Sequence, residues 1–336
     1  EVEKDDSTAG LGWFIECDLD VPDDKHDYMS DYPLAVEKKS VSEAELSDLQ
    51  LRDKKQLKII GGHEKLVPNL YNKRRYVLHY RLLEFYLKQG LELRKIHRVM
   101  QFHESPYMRS YIEFNNSKRK EAKNDFEKDF FKLMNNSVYG KTMENVENRE
   151  QVKLTQSVKK MKRWARSPFC AGSKIFAEDT EDDEGLMAIK MHNKEVKLFK
   201  PTCTGVAVLE LSKLSMYRFH YGYIKQKYGS RASLLFTDTD SLAYVINTDD
   251  VYKDMEASAE LFDTSNFPEG HFLHSNANKK VLNKMKDENG GWIVVEFVGL
   301  RAKMYSMLVQ GAGLFDETEN KRAKGVGRVA IEGHTH

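Results

Sequence analysis

Apolar and polar positions alternate along Trp13-Phe14-Ile15-Glu16-Cys17-Asp18-Leu19, and the run closes on Pro22-Asp23-Asp24; a period of two predicts a strand and a turn. Ser42 and Glu45 have the spacing of a capping box and predict a short helix over 43–51, with a linker through Gly61-Gly62. Over 69–89 the spacing of Leu78, Leu82 and Phe85 predicts a long helix stopped by Gly90. A second long helix is predicted over 117–139, ending on Gly140. Phe126, Phe130, Leu133 and Ser137 share the side expected to face the core, while Lys128, Lys132, Asn136 and Tyr139 form a polar stripe roughly opposite.

The pattern weakens from 148 to 200 into short strands and an acidic loop, as expected of an insertion. A third long helix is predicted over 207–228, capped by Gly229. Directly after it come Leu234-Leu235-Phe236, the acidic Thr237-Asp238-Thr239-Asp240-Ser241, and Leu242-Ala243-Tyr244-Val245-Ile246. Apolar strand, acidic turn and apolar strand predict a β-hairpin with carboxylates at its tip. A last strand over 292–297 leads into Val298-Gly299-Leu300-Arg301-Ala302-Lys303-Met304-Tyr305, where Arg301, Lys303 and Tyr305 are expected to alternate onto one face.

Composition narrows the class. With 336 residues the chain has room for one large domain or two ordinary ones, and 40% hydrophobic residues argue against disorder. No run of apolar residues has the length of a membrane-spanning helix, so no membrane is expected as partner. Cys17, Cys170 and Cys203 are far apart and odd in number, which predicts neither a disulfide framework nor a metal-binding pair and makes a reducing, intracellular compartment the default. The net charge of +1 conceals basic clusters at Lys73-Arg74-Arg75, Lys118-Arg119-Lys120 and Lys159-Lys160 with Lys162-Arg163, of the kind that bind polyanions or simply stay solvated. Six carboxylates between 178 and 184 read as a solvated loop.

Asp238 and Asp240, two residues apart in an extended segment, are expected to project to the same side. Paired carboxylates attract hard cations, and Mg²⁺ is commonly shared with substrate phosphates; aspartate in a turn also serves simple local hydrogen bonding. The string Lys132-Leu133-Met134-Asn135-Asn136-Ser137-Val138-Tyr139-Gly140 adds a cation, an amide and an aromatic ring on one helical stripe, the groups needed to hold triphosphate, sugar and base. Alone, it is equally an ordinary solvated helix face.

Together these strings resemble motif B (Lys-x-x-x-Asn-Ser-x-Tyr-Gly) and motif C (Tyr-x-Asp-Thr-Asp-Ser) of family B DNA polymerases, in that chain order, with Phe236 in place of the motif C tyrosine. Lys303-Met304-Tyr305 is similar to the Lys-x-Tyr motif of the protein-primed branch. Asp31-Tyr32-Pro33-Leu34-Ala35, the stretch 71–80, Phe262-Asp263-Thr264-Ser265 and Lys284-Met285-Lys286-Asp287-Glu288 resemble polymerases of Maverick or Polinton elements and their viral relatives.

The resemblance implies an α+β right-hand fold, with an antiparallel palm sheet and helical fingers. Its implied divisions are a palm strand and insertion over 1–68, fingers-like helices over 69–147, an insertion over 148–200, palm over 201–310 and the start of a thumb over 311–336. It implies template-directed nucleotidyl transfer with two Mg²⁺ ions, Asp240 as direct ligand and Asp238 beside it. Lys132 would bind the incoming dNTP, Asn136 and Tyr139 the nucleotide and nascent pair, and Ser137 and Gly140 would shape the helix end on the DNA side. Lys303 and Tyr305 would hold the primer terminus. Implied partners are template-primer DNA, dNTPs and a terminal priming protein, at a nuclear or viral replication site.

The family's other metal-binding aspartate, in an Asp-x-x-Ser-Leu-Tyr motif, is not found among these residues and is expected upstream of Glu1; no exonuclease-type Asp-x-Glu pattern is found. Two other readings remain open: a polymerase relic acting as a DNA-binding module, and a metal-dependent nuclease using Asp238, Asp240 and acids such as Glu296. The chain alone is expected to bind DNA, more weakly as salt rises, and to extend a primer poorly or not at all. Clear Mg²⁺-dependent primer extension by the purified chain would overturn that expectation.

Overall fold

The computed structural model describes residues 10–56, 64–176, 185–301, 303–310 and 317–324. The expected Gly61-Gly62 linker, the acidic run 178–184, the Arg301 side chain and most of 311–336 lie outside the described residues. Two compact units are present, one formed by 1–109 with 209–336 and the other by 110–208. Both combine helices with small antiparallel sheets, so the expected mixture of helix and antiparallel sheet is found.

The first unit opens with β1 (Leu11–Asp20), α1 (His26–Met29), β2 (Glu37–Lys39), α2 (Asp48–Gln56), β3 (Lys65–Val67), β4 (Lys73–His79), α3 (Tyr80–Lys88) and β5 (Glu92–His103). β1 lies between β4 and β5, antiparallel to both. Its two faces meet different chemistry. Cys17 and Leu19 enter a core with Leu78, Leu82, Leu83 and Tyr86. On the other face Glu16 pairs with Arg75 and Arg98, Asp18 with His97, and Asp20 with Arg74 and Arg94. The strongest effects, an Arg98 bond at Glu16, the Arg75 backbone bond at Asp18 and an Arg74 bond at Asp20, hold all three carboxyls below their ordinary range. With the arginine side chains of these pairs largely in solvent, each such pair stabilises little individually. Their work is register, because a one-residue slip would turn Glu16, Asp18 and Asp20 toward the core and Cys17 outward.

The helix expected over 69–89 is therefore only half there. Residues 73–79 are strand, because Arg74 and Arg75 complement the acidic face of β1 while Leu78 serves its core face. The helix begins after His79, whose side chain accepts the Arg81 N–H, and stops at Gly90 as expected, with φ 104°. The capping box of Ser42 and Glu45 is formed, but on one turn of 3₁₀ helix ahead of α2.

The second unit holds α4 (Arg109–Glu121), α5 (Asp125–Thr142), β6 (Glu150–Thr155), α6 (Val158–Ala165), β7 (Cys170–Ile175) and β8 (Met187–His192), with β8 between β6 and β7. One helix was expected over 117–139, yet two are present. Asn124 caps α5 by accepting the Glu127 N–H, and α5 runs past Gly140 to Thr142. Its inner side carries Asn135, which receives a bond from Asn115 and donates to Asn116, and Met134, whose carbonyl accepts from Tyr111. Phe126 and Leu133, expected in the core, are 79% and 63% exposed. Polar pairing of the two helices overrides the apolar stripe there.

The chain returns to the first unit within α7 (Thr202–Phe219), which continues through a π-helical segment, His220–Ile224, into α8 (Lys225–Tyr228) and ends at Gly229, φ 57°. Then follow β9 (Ala232–Asp238), β10 (Ser241–Ile246), α9 (Val251–Glu256), β11 (Ile293–Arg301), β12 (Met304–Gln310) and β13 (Glu317–Ala323), the last three forming one antiparallel sheet. Leu214, Tyr217 and Tyr221 complete the β1 core, and Tyr223, Ile224 and Tyr228 build a second core with Met255, Phe262 and Phe267. Leu82, fully enclosed in the first core, sets a direct test of this packing: Leu82→Ala should lower unfolding free energy by about 2–5 kcal/mol, read from urea denaturation.

Candidate functional site

β9 and β10 pair antiparallel, with Ser241 opposite Asp238, so only Thr239 and Asp240 make the turn. Thr239 has φ 61°, a setting that two-residue hairpins usually fill with glycine or asparagine. The Asp240 N–H donates to the Asp238 carbonyl at 2.7 Å, closing a three-residue turn. The Thr239 hydroxyl donates to Asp238 Oδ1 at 3.2 Å and the Ser241 hydroxyl to the Asp238 carbonyl at 3.2 Å. The hairpin is as expected, but Asp238 ends a strand and Asp240 lies in the turn. Extended-strand alternation therefore does not relate the two carboxylates.

A second hairpin meets the first. β11 ends at Arg301 and pairs antiparallel with β12 from Met304, so the expected continuous strand carrying Arg301, Lys303 and Tyr305 on one face is broken by a reversal before Met304. Lys303 takes φ 61° and places Nζ 3.0 Å from Asp238 Oδ1. Tyr305 packs on Phe236 with ring centroids 4.7 Å apart and stacks on Phe297 at 5.9 Å. Gly299 lies opposite Tyr305, and a Cβ there would come within 2.9 Å of the Phe297 ring. Asp238, Lys303 and Tyr305 are thus gathered around Phe236, with Asp240 exposed at the tip. Phe297 and Gly299 were not anticipated, although a lone glycine inside a strand pattern is itself a sign of close approach.

Lys132, Asn136 and Tyr139 all lie on the exposed side of α5, as the stripe predicts. Ser137 turns its hydroxyl back to the Met134 carbonyl at 3.0 Å. Gly140 sits inside the helix, with nothing among the described residues within 4 Å of where a Cβ would stand. These five residues belong to the unit 110–208, and the two hairpins belong to the other.

The donors at the tip are two carboxylates, hard oxygen ligands of the kind Mg²⁺ takes. Among the described residues no cluster of three or more His, Cys, Asp or Glu is disposed to hold a metal, and no helix is long and apolar enough to cross a membrane.

Behind the hairpins Asp31 pairs with Lys225 at 3.0 Å and faces His220 at 3.5 Å. Burial raises its pKa, but His220 and Lys225 together outweigh that and bring it down to about 2. A depressed carboxyl stabilises the fold above its unfolded pKa of about 3.9, and the contribution is lost as pH falls toward 2. Asp31→Asn should therefore flatten the acid limb of stability against pH between about 4 and 2, measured by urea midpoints.

Comparison of the chain with family models, with characterised proteins and with solved structures finds no match.

The strain at Thr239 yields its own test. Thr239→Asn, which suits φ 61° and keeps a polar side chain, should raise stability by up to about 1 kcal/mol; an unchanged or lower urea midpoint would show that the turn is not strained.

Proposed function

We propose that this chain carries part of the polymerising site of a family B DNA polymerase of the protein-primed kind, which adds nucleotides from dNTPs to a primer 3′-hydroxyl on template-primer DNA. One observation carries the reading. Strings resembling two separate family motifs, motif C and Lys-x-Tyr, meet in space through the Lys303–Asp238 ion pair and the Phe236–Tyr305 ring contact. Nothing in the hydrophobic pattern of either hairpin requires that meeting.

In this reading Asp240 and Asp238 would hold Mg²⁺, whose chemistry when bound is to compensate phosphate charge and ease deprotonation of the primer hydroxyl. Lys303 supplies a cation at the hairpin tip, suited to a primer-terminal phosphate. Tyr305, backed by Phe236 and Phe297, offers a ring whose orientation is fixed before DNA arrives. Lys132 would neutralise the triphosphate, and Asn136 and Tyr139 would line the nascent pair, with Ser137 and Gly140 shaping the helix beside it. Contacts of this kind are to phosphate, sugar and ring faces, so base choice would be left to the template. A terminal priming protein as partner comes from the resemblance alone.

The test is nucleotide incorporation by a version extended upstream to include an Asp-x-x-Ser-Leu-Tyr motif. It should extend a primed template in Mg²⁺, and Asp240→Ala should reduce the rate by at least about 10²–10³-fold, the scale of losing one charge-stabilising group. Hydrolysis of DNA without incorporation would replace this reading with a nuclease, and binding without either would leave a DNA-binding relic.

A further inference from the structure

The π-helical segment His220–Ile224 interrupts the long helix one turn before its end; wide turns of this kind recur at functional sites. His220 is wholly buried. Nδ1 is hydrogen-bonded to the Tyr244 hydroxyl at 2.9 Å, and Nε2 lies 3.5 Å from Asp31 Oδ1 without a hydrogen bond between them. Tyr244 belongs to β10, the strand that leaves the Asp238-Thr239-Asp240 turn, and its ring stacks on His220 at 5.9 Å and 15°. Tyr32, the neighbour of Asp31, sets its ring edge-on to His220 at 5.2 Å. The hairpin is therefore tied to the long helix through β10, by Tyr244.

The groups facing His220 are Asp31, with Lys225 behind it, and the phenols of Tyr32, Tyr221 and Tyr244. With the Tyr244 hydroxyl as donor, Nδ1 is the acceptor of this bond. Burial, with the Tyr32 and Asp31 charges adding to it, keeps the Tyr244 phenol far above its ordinary pKa, so its proton stays on and is available to donate.

We infer that His220 is a positioning residue which, through Tyr244 on β10, fixes the carboxylate hairpin in place. What the tip would hold rests on the polymerase reading; the clamp itself does not. No step of chemistry passes through His220. Its effect is that the Asp238-Thr239-Asp240 turn is set by a buried hydrogen bond and ring stack on the long helix, not by two short strands alone.

Three substitutions separate its links. Tyr244→Phe removes one oxygen and keeps the stacked ring. His220→Gln sets an amide nitrogen near the place of Nε2 and keeps the Asp31 side, while His220→Asn sets an amide oxygen near the place of Nδ1 and keeps an acceptor for Tyr244. Peptide-level hydrogen exchange is read over β9, the turn and β10 in the purified chain, along with Mn²⁺ binding by electron paramagnetic resonance. Tyr244→Phe and His220→Gln should speed exchange at the turn by about tenfold, the scale of one lost buried hydrogen bond, with His220→Asn within about twofold of wild type on the same scale. Where wild type binds Mn²⁺ and Asp240→Asn does not, the first two variants should also bind it more weakly. Exchange at the turn that is unchanged in Tyr244→Phe, or raised equally in His220→Asn and His220→Gln, overturns the clamp. Wild type that binds no Mn²⁺ beyond Asp240→Asn counts against the polymerase reading, while the exchange pattern still decides for or against His220.

Discussion

Tyr217 and Tyr221 are enclosed in the core, and their hydroxyls donate to the carbonyls of Pro33 and Tyr32, 184 and 189 residues earlier in the chain. Leaving a phenol that deep unpaired would cost about 1–3 kcal/mol. The two bonds therefore locate the 31–35 loop on the long helix as firmly as the packing of Leu34 and Ala35 does. Most of what distinguishes the first unit follows from that attachment. It presents Tyr32 to His220 and Asp31 to Lys225, and it closes the core that β1 and α3 share with Leu214.

Much of the fold was legible because local pattern and tertiary role agree. The strand at 13–19, the hairpin around Asp238 and the helix ending at Gly229 each carry their own start, stop and period. Errors arose where the deciding partner was remote. Residues 73–79 have a helix-like spacing at Leu78 and Leu82, but Arg74 and Arg75 answer to carboxylates more than fifty positions earlier, information that no window around residue 75 contains. The break before α5 has a local signal in Asn124 with Glu127 as a capping pair, which runs against the apolar periodicity across it. The apolar stripe of Phe126, Phe130 and Leu133 misled because the helix pairing uses amide bonds through Asn135.

The site was legible in identity and less so in geometry. Asp238, Lys303 and Tyr305 do assemble, but by two tight reversals with threonine and lysine at positive φ, where side-chain pattern offers no warning. Phe297 and Gly299 enter only because a ring needs room beside Tyr305. His220 and Tyr244 carried no signal at all, being an ordinary histidine and an ordinary strand tyrosine until the π-helical turn brings them together.

Gly140 gives the surface of α5 an unusual property. A glycine inside a helix weakens it by roughly 0.5–1 kcal/mol relative to alanine, and here no described neighbour needs the missing methyl. Chain stability and access to the helix surface are therefore uncoupled at this position. A methyl placed there stiffens α5 and meets none of the described chain, so its only steric consequence falls on whatever molecule comes to lie against that side of the helix.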